Sequence, residues 1–134
     1  GRHYKLPGGA LKPGEHIIAA VQREILEETG VETRFRSLVC FRHWHGYRFD
    51  KSDIYFVCRL SPLNHKITPD HVEIAECLWM PVQEYLESED VGIFNKRIVL
   101  AALNGTRLVP TWIEGYQSEP DRRELFFPAE DCSG

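Results

Sequence analysis

One segment near the start of the chain, residues 9–31, constrains the fold most strongly. Three glutamates in it, Glu24, Glu27 and Glu28, stand at positions i, i+3 and i+4. At about 3.6 residues per turn, a helix would place their carboxylates on one face, within an arc of about 100°. Like charges packed so closely repel one another and weaken an isolated helix. The spacing therefore predicts a helix that holds a cation among these acids.

The same segment also predicts how this helix packs and where it ends. Pro13 and Gly14 interrupt the chain before it, and Gly30 stands where a left-handed residue would close the last turn, so that Val31 would begin an exit strand. An apolar stripe at i, i+3 and i+7 would pack against a core and leave the acids facing outward. The stripe consists of Ile18, Val21 and Ile25. Such outward carboxylates suit Mg²⁺, which takes oxygen ligands and is usually bound together with substrate phosphates.

The complete pattern closely resembles the signature of the Nudix hydrolases. It reads Gly9-x5-Glu15-x7-Arg23-Glu24-Ile25-x-Glu27-Glu28-x-Gly30-Val31, and every fixed position of that signature is filled. We call residues 9–31 the box. The resemblance implies a loop, helix and loop that bind two or three Mg²⁺ or Mn²⁺ ions and cleave a diphosphate linked to a nucleoside.

The resemblance also implies a role for each matched position. The metal-binding and catalytic acids would be Glu24, Glu27 and Glu28. Glu24 is in addition a candidate for orienting the attacking water, and the main-chain carbonyl of Gly8 would add a metal ligand. Structural support of the box would come from Gly9, Glu15, Arg23 and Gly30. Of these, Glu15 and Arg23 are implied to pair and brace the loop.

The alternative for a Glu-rich helix is a solvated surface face, which is the commoner origin of such a charge pattern taken alone. Here the loop glycines, Glu15 and Arg23 agree with the three acids. The agreement favours a metal site.

A further acid is expected from outside the box, because members of the family often recruit one from a loop before a strand that contains tryptophan. Glu73 lies six residues before Trp79, which is the spacing that the resemblance favours, and Glu76 is the alternative. Close to the helix, either acid could serve as a general base or a metal ligand. Away from it, both would be ordinary surface acids.

The chain after the box is predicted to consist mainly of strands. Residues 37–47 and 53–60 are rich in β-branched and aromatic side chains and flank a polar stretch, which predicts an antiparallel hairpin. Residues 78–80 suggest a short strand, residues 82–87 a helical turn and residues 94–103 a helix. We therefore expect the α/β (α+β) class, as an α/β/α sandwich of the Nudix type with a central mixed sheet.

Residues 1–134 are expected to form a single domain, with residues 114–134 as a mobile tail. Nudix domains normally carry about 30 residues of strand before the box, whereas here only residues 1–6 precede the Leu-Pro-Gly-Gly sequence. The N-terminal strands are thus expected to belong to a longer protein or to be supplied by another chain, for example in a homodimer.

The hairpin also offers residues that could contact a substrate. Trp44 and Tyr47 could stack on a base and Arg42 could meet its phosphates, although aromatic residues on strands more often belong to the sheet surface or core. His43 and His45 would share one face of a strand, which suits a metal or a phosphate. Two histidines on a half-exposed strand are, however, the commoner interpretation.

Composition limits the partners and the compartment. A net charge of -4 and a pI near 5.9 argue against broad attraction to nucleic acid or anionic membranes, and no apolar run is long enough to span a bilayer. The partner expected is therefore a small nucleotide. The four cysteines lack a CxxC pair, which favours reduced thiols over a disulfide or zinc framework and predicts an intracellular, most simply cytoplasmic, protein.

Together these features predict a Mg²⁺-dependent hydrolase that cleaves the pyrophosphate bond of a nucleoside diphosphate linked to another group. Residues 40–60 resemble the subgroup that contains the fibroblast growth factor antisense protein and plant ADP-ribose/NADH pyrophosphatases, which suggests ADP-ribose, NADH or a similar substrate and release of a nucleoside monophosphate. The alternative is a catalytically silent Nudix module that acts as a nucleotide sensor or interaction domain. Messenger RNA decapping is disfavoured, because the chain has no basic stripe.

Overall fold

The computed structural model describes residues 3–68, 77–116 and 119–130. Helix α1 (Ile17–Thr29) is followed by strand β1 (Thr33–Tyr47), a single 3-10 turn (Arg48–Asp50) and strand β2 (Lys51–Pro62). Two helices then follow, α2 (Val82–Glu87) and α3 (Ile93–Asn104), and two short strands, β3 (Leu108–Pro110) and β4 (Phe126–Pro128). The mixed class predicted from the sequence is confirmed.

Helix α1 is the predicted box helix. It ends at Gly30, whose φ of 75° is left-handed and whose N–H donates to the carbonyl of Leu26 at 2.8 Å. Val31, predicted to begin the exit strand, is buried two residues before β1 starts. The predicted apolar stripe packs inward: Ile25 is buried, and Ile18 and Val21 are half-buried. The helix therefore has the firm inner side that the outward acids require.

The predicted hairpin is confirmed, and it is longer than the apolar pattern suggested. β1 and β2 pair antiparallel from Thr33 opposite Pro62 to Tyr47 opposite Lys51, with three register irregularities. At the turn, Phe49 and Asp50 both have positive φ, and the Phe49 side chain is 90% exposed.

The four strands form one sheet in the order β2-β1-β3-β4. All three pairings among the described residues are antiparallel, so the parallel pairing that a mixed sheet needs is not among them. The short strand predicted at residues 78–80 was wrong, because these residues make no ladder with a neighbouring strand. The Trp79 indole N–H instead donates to the carbonyl of His65 at 2.8 Å.

The helices lie on both faces of the sheet. Successive side chains of a strand point to opposite faces. On β2, Tyr55 contacts the ring of Phe94 and Arg59 donates to the carbonyl of Ala102, which places α3 on their face. Cys58 points the other way, towards Glu124, and Glu124 in turn contacts the start of α1. The two helices predicted after the hairpin, at residues 82–87 and 94–103, are both confirmed.

Strand β4 lies inside the segment 114–134 for which a mobile tail is predicted, and it pairs with β3 through Val109 opposite Phe127. Within the described ranges, no helix has the length and apolarity needed to cross a bilayer. The buried apolar side chains come from α1, β1, β2, α2, α3 and the connecting segments: Ala20, Ile25, Val31, Leu38, Val57, Tyr85, Val91 and Ile98.

Candidate active site

The outward face of α1 carries the three predicted acids, and Arg23 lies among them. Its Nη1 donates to Glu24 Oε1 at 2.8 Å and to Glu27 Oε2 at 3.1 Å. The Glu24 side chain is only 18% exposed, whereas that of Glu27 is 57% exposed. A guanidinium group thus lies between two of the three carboxylates and offsets part of their mutual repulsion. The metal ion expected among the acids stays a prediction.

The predicted pair of Arg23 and Glu15 is also present. Arg23 Nε lies 2.7 Å from Glu15 Oε2, and its Nη2 lies 2.9 Å from Glu15 Oε1. This two-pronged geometry fits the planar guanidinium to the carboxylate. Arg23 Nη2 also donates to the carbonyl of Ala10, and the Lys12 N–H donates to Glu15, so the pair fastens the loop to the helix.

The charges of this pair stabilise each other. The hydrogen bond from Arg23, followed by that from the Lys12 N–H, lowers the pKa of Glu15 to about 2. The hydrogen bond with Glu15 raises the pKa of Arg23. Both side chains are therefore charged throughout the physiological pH range, which suits a permanent structural brace.

The loop before the helix lies directly against the acids. The Gly8 N–H donates to Glu28 Oε2 at 3.0 Å, which places this main chain, predicted to supply a metal ligand, beside a box acid. At Gly9, a Cβ would overlap the Glu24 carboxylate. A larger residue there would force the Glu24 carboxylate or the loop to move, which gives the first fixed position of the pattern a steric reason.

The donor set suits a hard divalent cation. Glu24, Glu27, Glu28 and the Gly8 carbonyl offer oxygen atoms only, the ligand type that Mg²⁺ and Mn²⁺ take. Across residues 3–68, 77–116 and 119–130, however, no three His, Cys, Asp or Glu side chains are arranged to hold a metal ion. Arg23 Nη1 contacts the Glu24 and Glu27 carboxylates in this structure.

Glu73 and Glu76, the candidates for a further acid, lie outside the described residues. The described residues on either side of them are close to the C-terminal half of α1. The Thr68 N–H donates to the carbonyl of Thr29, and burial together with the charge of Glu28 raises the pKa of Cys77. The hydrogen bond of Thr68 therefore places the chain just before these candidates beside the end of the box helix.

Arg42 forms a cluster on the hairpin instead of facing open solvent. Its Nη2 bonds Asp53 Oδ2 at 3.1 Å, and its guanidinium lies 5.2, 5.1 and 5.6 Å from the ring centres of Trp44, Tyr55 and Phe94. We call these five residues the Arg42 cluster. The Arg42 Nε is buried and has no hydrogen-bond partner among the described residues.

The remaining hairpin candidates lie near this cluster. Trp44 is half exposed and its ring lies 5.1 Å from that of Tyr47. His43 and His45 share a face as predicted, with ring centres 4.2 Å apart, and both are exposed. Phe94 was not among the predicted site residues, because nothing in a helix pattern indicates which strand residue a helical side chain will meet.

The described cysteines, Cys40, Cys58 and Cys77, are free and half-buried. Burial, and then the charge of Glu124, raise the pKa of the Cys58 thiol to about 11, so it is a neutral thiol at pH 7. Cys132 lies outside the described residues, and the reduced state of the cysteines stays a prediction.

The sequence of the chain matches a known protein family. The model of the NUDIX domain matches residues 1–102. The chain is 40% identical to Nucleoside diphosphate-linked moiety X motif 6 of Xenopus laevis over 104 residues, which are 76% of this chain and 48% of that protein. It is 45% identical to Nudix hydrolase 8 of Arabidopsis thaliana over 63% of this chain and 23% of that protein.

A human relative, also named Nucleoside diphosphate-linked moiety X motif 6, is 35% identical over 78% of this chain and 34% of its own length. The chain belongs to the Nudix family, as the box pattern predicted. It spans between about a quarter and a half of the length of these three relatives.

Proposed function

We propose that this chain is a metal-dependent hydrolase that cleaves the pyrophosphate bond of a nucleoside diphosphate linked to another group. The observation that carries the proposal is the closeness of the loop to the acids, with Gly8 bonded to Glu28 and Gly9 against Glu24. A surface helix has no need of such a loop. A site that must set main-chain and carboxylate oxygens around one cation does need it.

The proposed ligands are Glu24, Glu27, Glu28 and the carbonyl of Gly8, for two or three Mg²⁺ or Mn²⁺ ions. Bound ions would neutralise the anionic oxygens of the diphosphate, lower the pKa of a bound water and stabilise the leaving phosphate. Glu24 and Glu27 would have to release Arg23 Nη1 in order to hold a metal ion. Arg23 itself remains fixed through Glu15, whose two hydrogen bonds use Nε and Nη2 and not Nη1.

The reaction proposed is attack by water on one phosphorus. A new P–O bond forms to the water oxygen, the bond from that phosphorus to the bridging oxygen breaks, and the two products are a nucleoside monophosphate and the phosphate of the second group. Glu24 is proposed to orient the water. Glu73, or Glu76 in its place, is proposed as a general base or a further metal ligand, which the positions of Thr68 and Cys77 beside α1 support.

The substrate proposed is ADP-ribose, NADH or a similar nucleotide. The names of the relatives support a diphosphate linked to a variable group, since two of them are described by a nucleoside diphosphate-linked moiety. Trp44 and Tyr47 are proposed to stack on the base. Arg42 is proposed to act mainly by holding Trp44, because its guanidinium already contacts Asp53 and three rings.

The protein is proposed to be intracellular and cytoplasmic. Free thiols at the three described cysteines support this compartment.

The chain is also proposed to pair with another chain, for example a second copy. Strand β2 is an edge of the described sheet and is twelve residues long, which supports such pairing. Light scattering at several protein concentrations measures that assembly directly.

A substrate panel tests the proposed function. The protein is incubated with ADP-ribose, NADH, other nucleoside diphosphate derivatives and a capped RNA, each with Mg²⁺ or Mn²⁺, and released monophosphates are quantified by chromatography. We expect a nucleoside monophosphate from at least one small diphosphate derivative and none from the capped RNA. A folded protein that cleaves none of these compounds would contradict the proposed hydrolase activity.

The panel also separates the enzyme from a silent module. One observation favours such a module. Arg23 Nη1 contacts two box carboxylates, whose oxygen atoms a metal would need as ligands. A sensor would bind one of these nucleotides, measured by calorimetry, without releasing a monophosphate.

A further inference from the structure

Helix α1 begins without a cap from its own flanking residues. His16, at the N-cap position, makes no side-chain capping hydrogen bond, and the first turn contains no acid. The four leading N–H groups of a helix need partners, and the helix dipole adds positive charge at this end. The first partner comes from far along the chain, because the N–H of Ile17 donates to the carboxylate of Glu124, 107 residues later.

Glu124 is itself held on the sheet that supports α1. The N–H of Thr111 donates to the carbonyl of Leu125 at 2.9 Å, next to Glu124, and β4 follows immediately. β4 pairs with β3, and β3 pairs with β1 at Leu38. A second contact joins His16 Nε2 to the carbonyl of Pro120. The segment 120–125 therefore fixes the start of α1 relative to the sheet.

The second carboxylate oxygen of Glu124 is buried and has no hydrogen-bond partner among the described residues. Burying part of a carboxylate is unfavourable unless its charge is compensated. The helix N-terminus supplies that compensation here, which explains why an acid is tolerated at this place. A neutral apolar residue would fill the same space without fixing the helix.

The start of α1 is directly connected to the box acids. Ile17 follows Glu15 by two residues, and Glu15 holds the loop before α1 in place through Arg23 and the Lys12 N–H. That loop lies against the acids, with Gly8 bonded to Glu28 and Gly9 against Glu24. A shift of the first turn would move Glu15 and would alter the placement of this loop relative to the acids. We propose that Glu124 is a positioning residue for the metal site, although it lies beyond the residues 1–102 that the family model matches. This inference rests on the proposed function.

Metal affinity measured without turnover tests the proposal. Mn²⁺ is titrated into the complete chain and followed by electron paramagnetic resonance for wild type, Glu124→Ala and Glu124→Gln. Substituting a group that is hydrogen-bonded to a metal ligand typically costs about 10- to 100-fold in metal affinity, and Glu124 acts from further away, so its effect should lie at the lower end. We expect Glu124→Ala to weaken Mn²⁺ binding by about tenfold. Glu124→Gln retains a carbonyl oxygen for the Ile17 N–H and should stay within about twofold of wild type.

Glu130→Ala is the matched control, because Glu130 is an exposed acid just after β4. Hydrogen exchange provides a second readout, and the amides at the start of α1 should exchange faster in Glu124→Ala alone. Unchanged Mn²⁺ affinity in a folded Glu124→Ala would overturn the proposal, even if its melting temperature fell. If that variant does not fold, Glu124→Asp replaces it, because its side chain is one methylene shorter and holds its oxygens further from Ile17. Wild-type Mn²⁺ affinity in Glu124→Asp would then contradict the proposal.

Mn²⁺ affinity can be measured without knowing the substrate, so this test separates the positioning role from the proposed function. If the wild type binds Mn²⁺ but cleaves no diphosphate, the proposed function is overturned, and weaker Mn²⁺ binding by Glu124→Ala still supports the positioning role. A wild type that binds no Mn²⁺ overturns both. An active wild type whose Glu124→Ala variant retains full Mn²⁺ affinity overturns the positioning role alone.

Discussion

The box helix and the hairpin are each organised around one arginine, but the two arginines have different kinds of partner. Arg23 contacts three carboxylates, Glu15, Glu24 and Glu27. Arg42 contacts one carboxylate, from Asp53, and the faces of three aromatic rings. Arg23 therefore sits among more acids than it can neutralise, whereas Arg42 has its single charge balanced by a single acid.

This difference indicates where chemistry is to be expected. An excess of carboxylates around Arg23 leaves negative charge that a divalent cation can take up. Around Arg42 the charge is already matched, and the three rings share cation–π attraction to one guanidinium, which at partly exposed sites is about 0.5–1 kcal/mol. We therefore expect substitutions at the box to affect turnover and substitutions at the Arg42 cluster to affect stability and substrate affinity.

The largest effect is expected for Glu27→Gln. The substitution keeps the size of the side chain and removes a charge that a metal would use. We expect kcat to fall at least about a hundredfold, while the melting temperature changes little, because Glu27 is the most exposed partner of Arg23. Steady-state kinetics measure kcat, and thermal unfolding measures the melting temperature.

Glu87→Gln, an exposed acid at the end of α2, is the control for Glu27→Gln and should leave turnover unchanged. Wild-type turnover in Glu27→Gln would remove Glu27 from the site.

Gly9→Ala is expected to have the next largest effect. The added methyl group would overlap the Glu24 carboxylate, so that either the loop or the acid must move. Displacements of about 1 Å at a catalytic centre can cost about a hundredfold in rate. We expect kcat/KM to fall by about 10- to 100-fold.

Gly92→Ala is the matched control for Gly9→Ala, since a Cβ there meets nothing within 4 Å. Equal activity of the two variants would mean that contact between the loop and Glu24 is not needed.

Arg42→Ala should affect binding and stability more than turnover. It removes the ion pair with Asp53 and three ring contacts, and we expect the free energy of unfolding to fall by about 1–2 kcal/mol. KM should rise a few-fold because Trp44 loses its support, with kcat nearly constant. A large fall in kcat with unchanged stability would instead place Arg42 on the reacting phosphates and would remove the contrast with Arg23.

The smallest expected effect is the pH dependence of the stabilisation that Glu15 contributes. The pKa of Glu15 is about 2 in the folded protein and near 4.5 without its partners. Because the folded pKa is the lower one, the stabilisation by this carboxylate is complete above about pH 4.5 and is lost as the pH falls towards 2. The difference in unfolding free energy between wild type and Glu15→Gln should therefore be constant from pH 5 to 7 and should shrink below pH 4.5. A difference that does not vary with pH would show that the brace does not depend on the charge of Glu15.

The sequence predicted the box better than any other part of the molecule, and the reason is physical. Its elements lie within one short segment, so helical periodicity alone sets Glu24, Glu27 and Glu28 on one face, and the left-handed Gly30 ends the helix where expected. The hairpin was also predictable, because alternation and a polar turn are local signals.

The Arg42 cluster and the Glu124 contact could not be predicted in the same way. Phe94 meets Arg42 from a different helix, and Glu124 meets Ile17 across most of the chain. Such contacts depend on how helices and strands pack, and no local pattern of residues records that. The expected strand at residues 78–80 failed for a related reason, since a β-favouring run becomes a strand only where a partner strand is available.

Hydrolysis in H₂¹⁸O with ADP-ribose, followed by mass spectrometry of both products, tests the central claim most directly. With Mg²⁺ or Mn²⁺, the proposed reaction yields a nucleoside monophosphate and a sugar phosphate, one of which carries a single ¹⁸O. With EDTA present, neither product should appear, and restoring the metal should restore both. Equal product formation in EDTA would contradict a metal-dependent box, and a folded protein that forms labelled product from no member of the substrate panel would contradict the hydrolase itself.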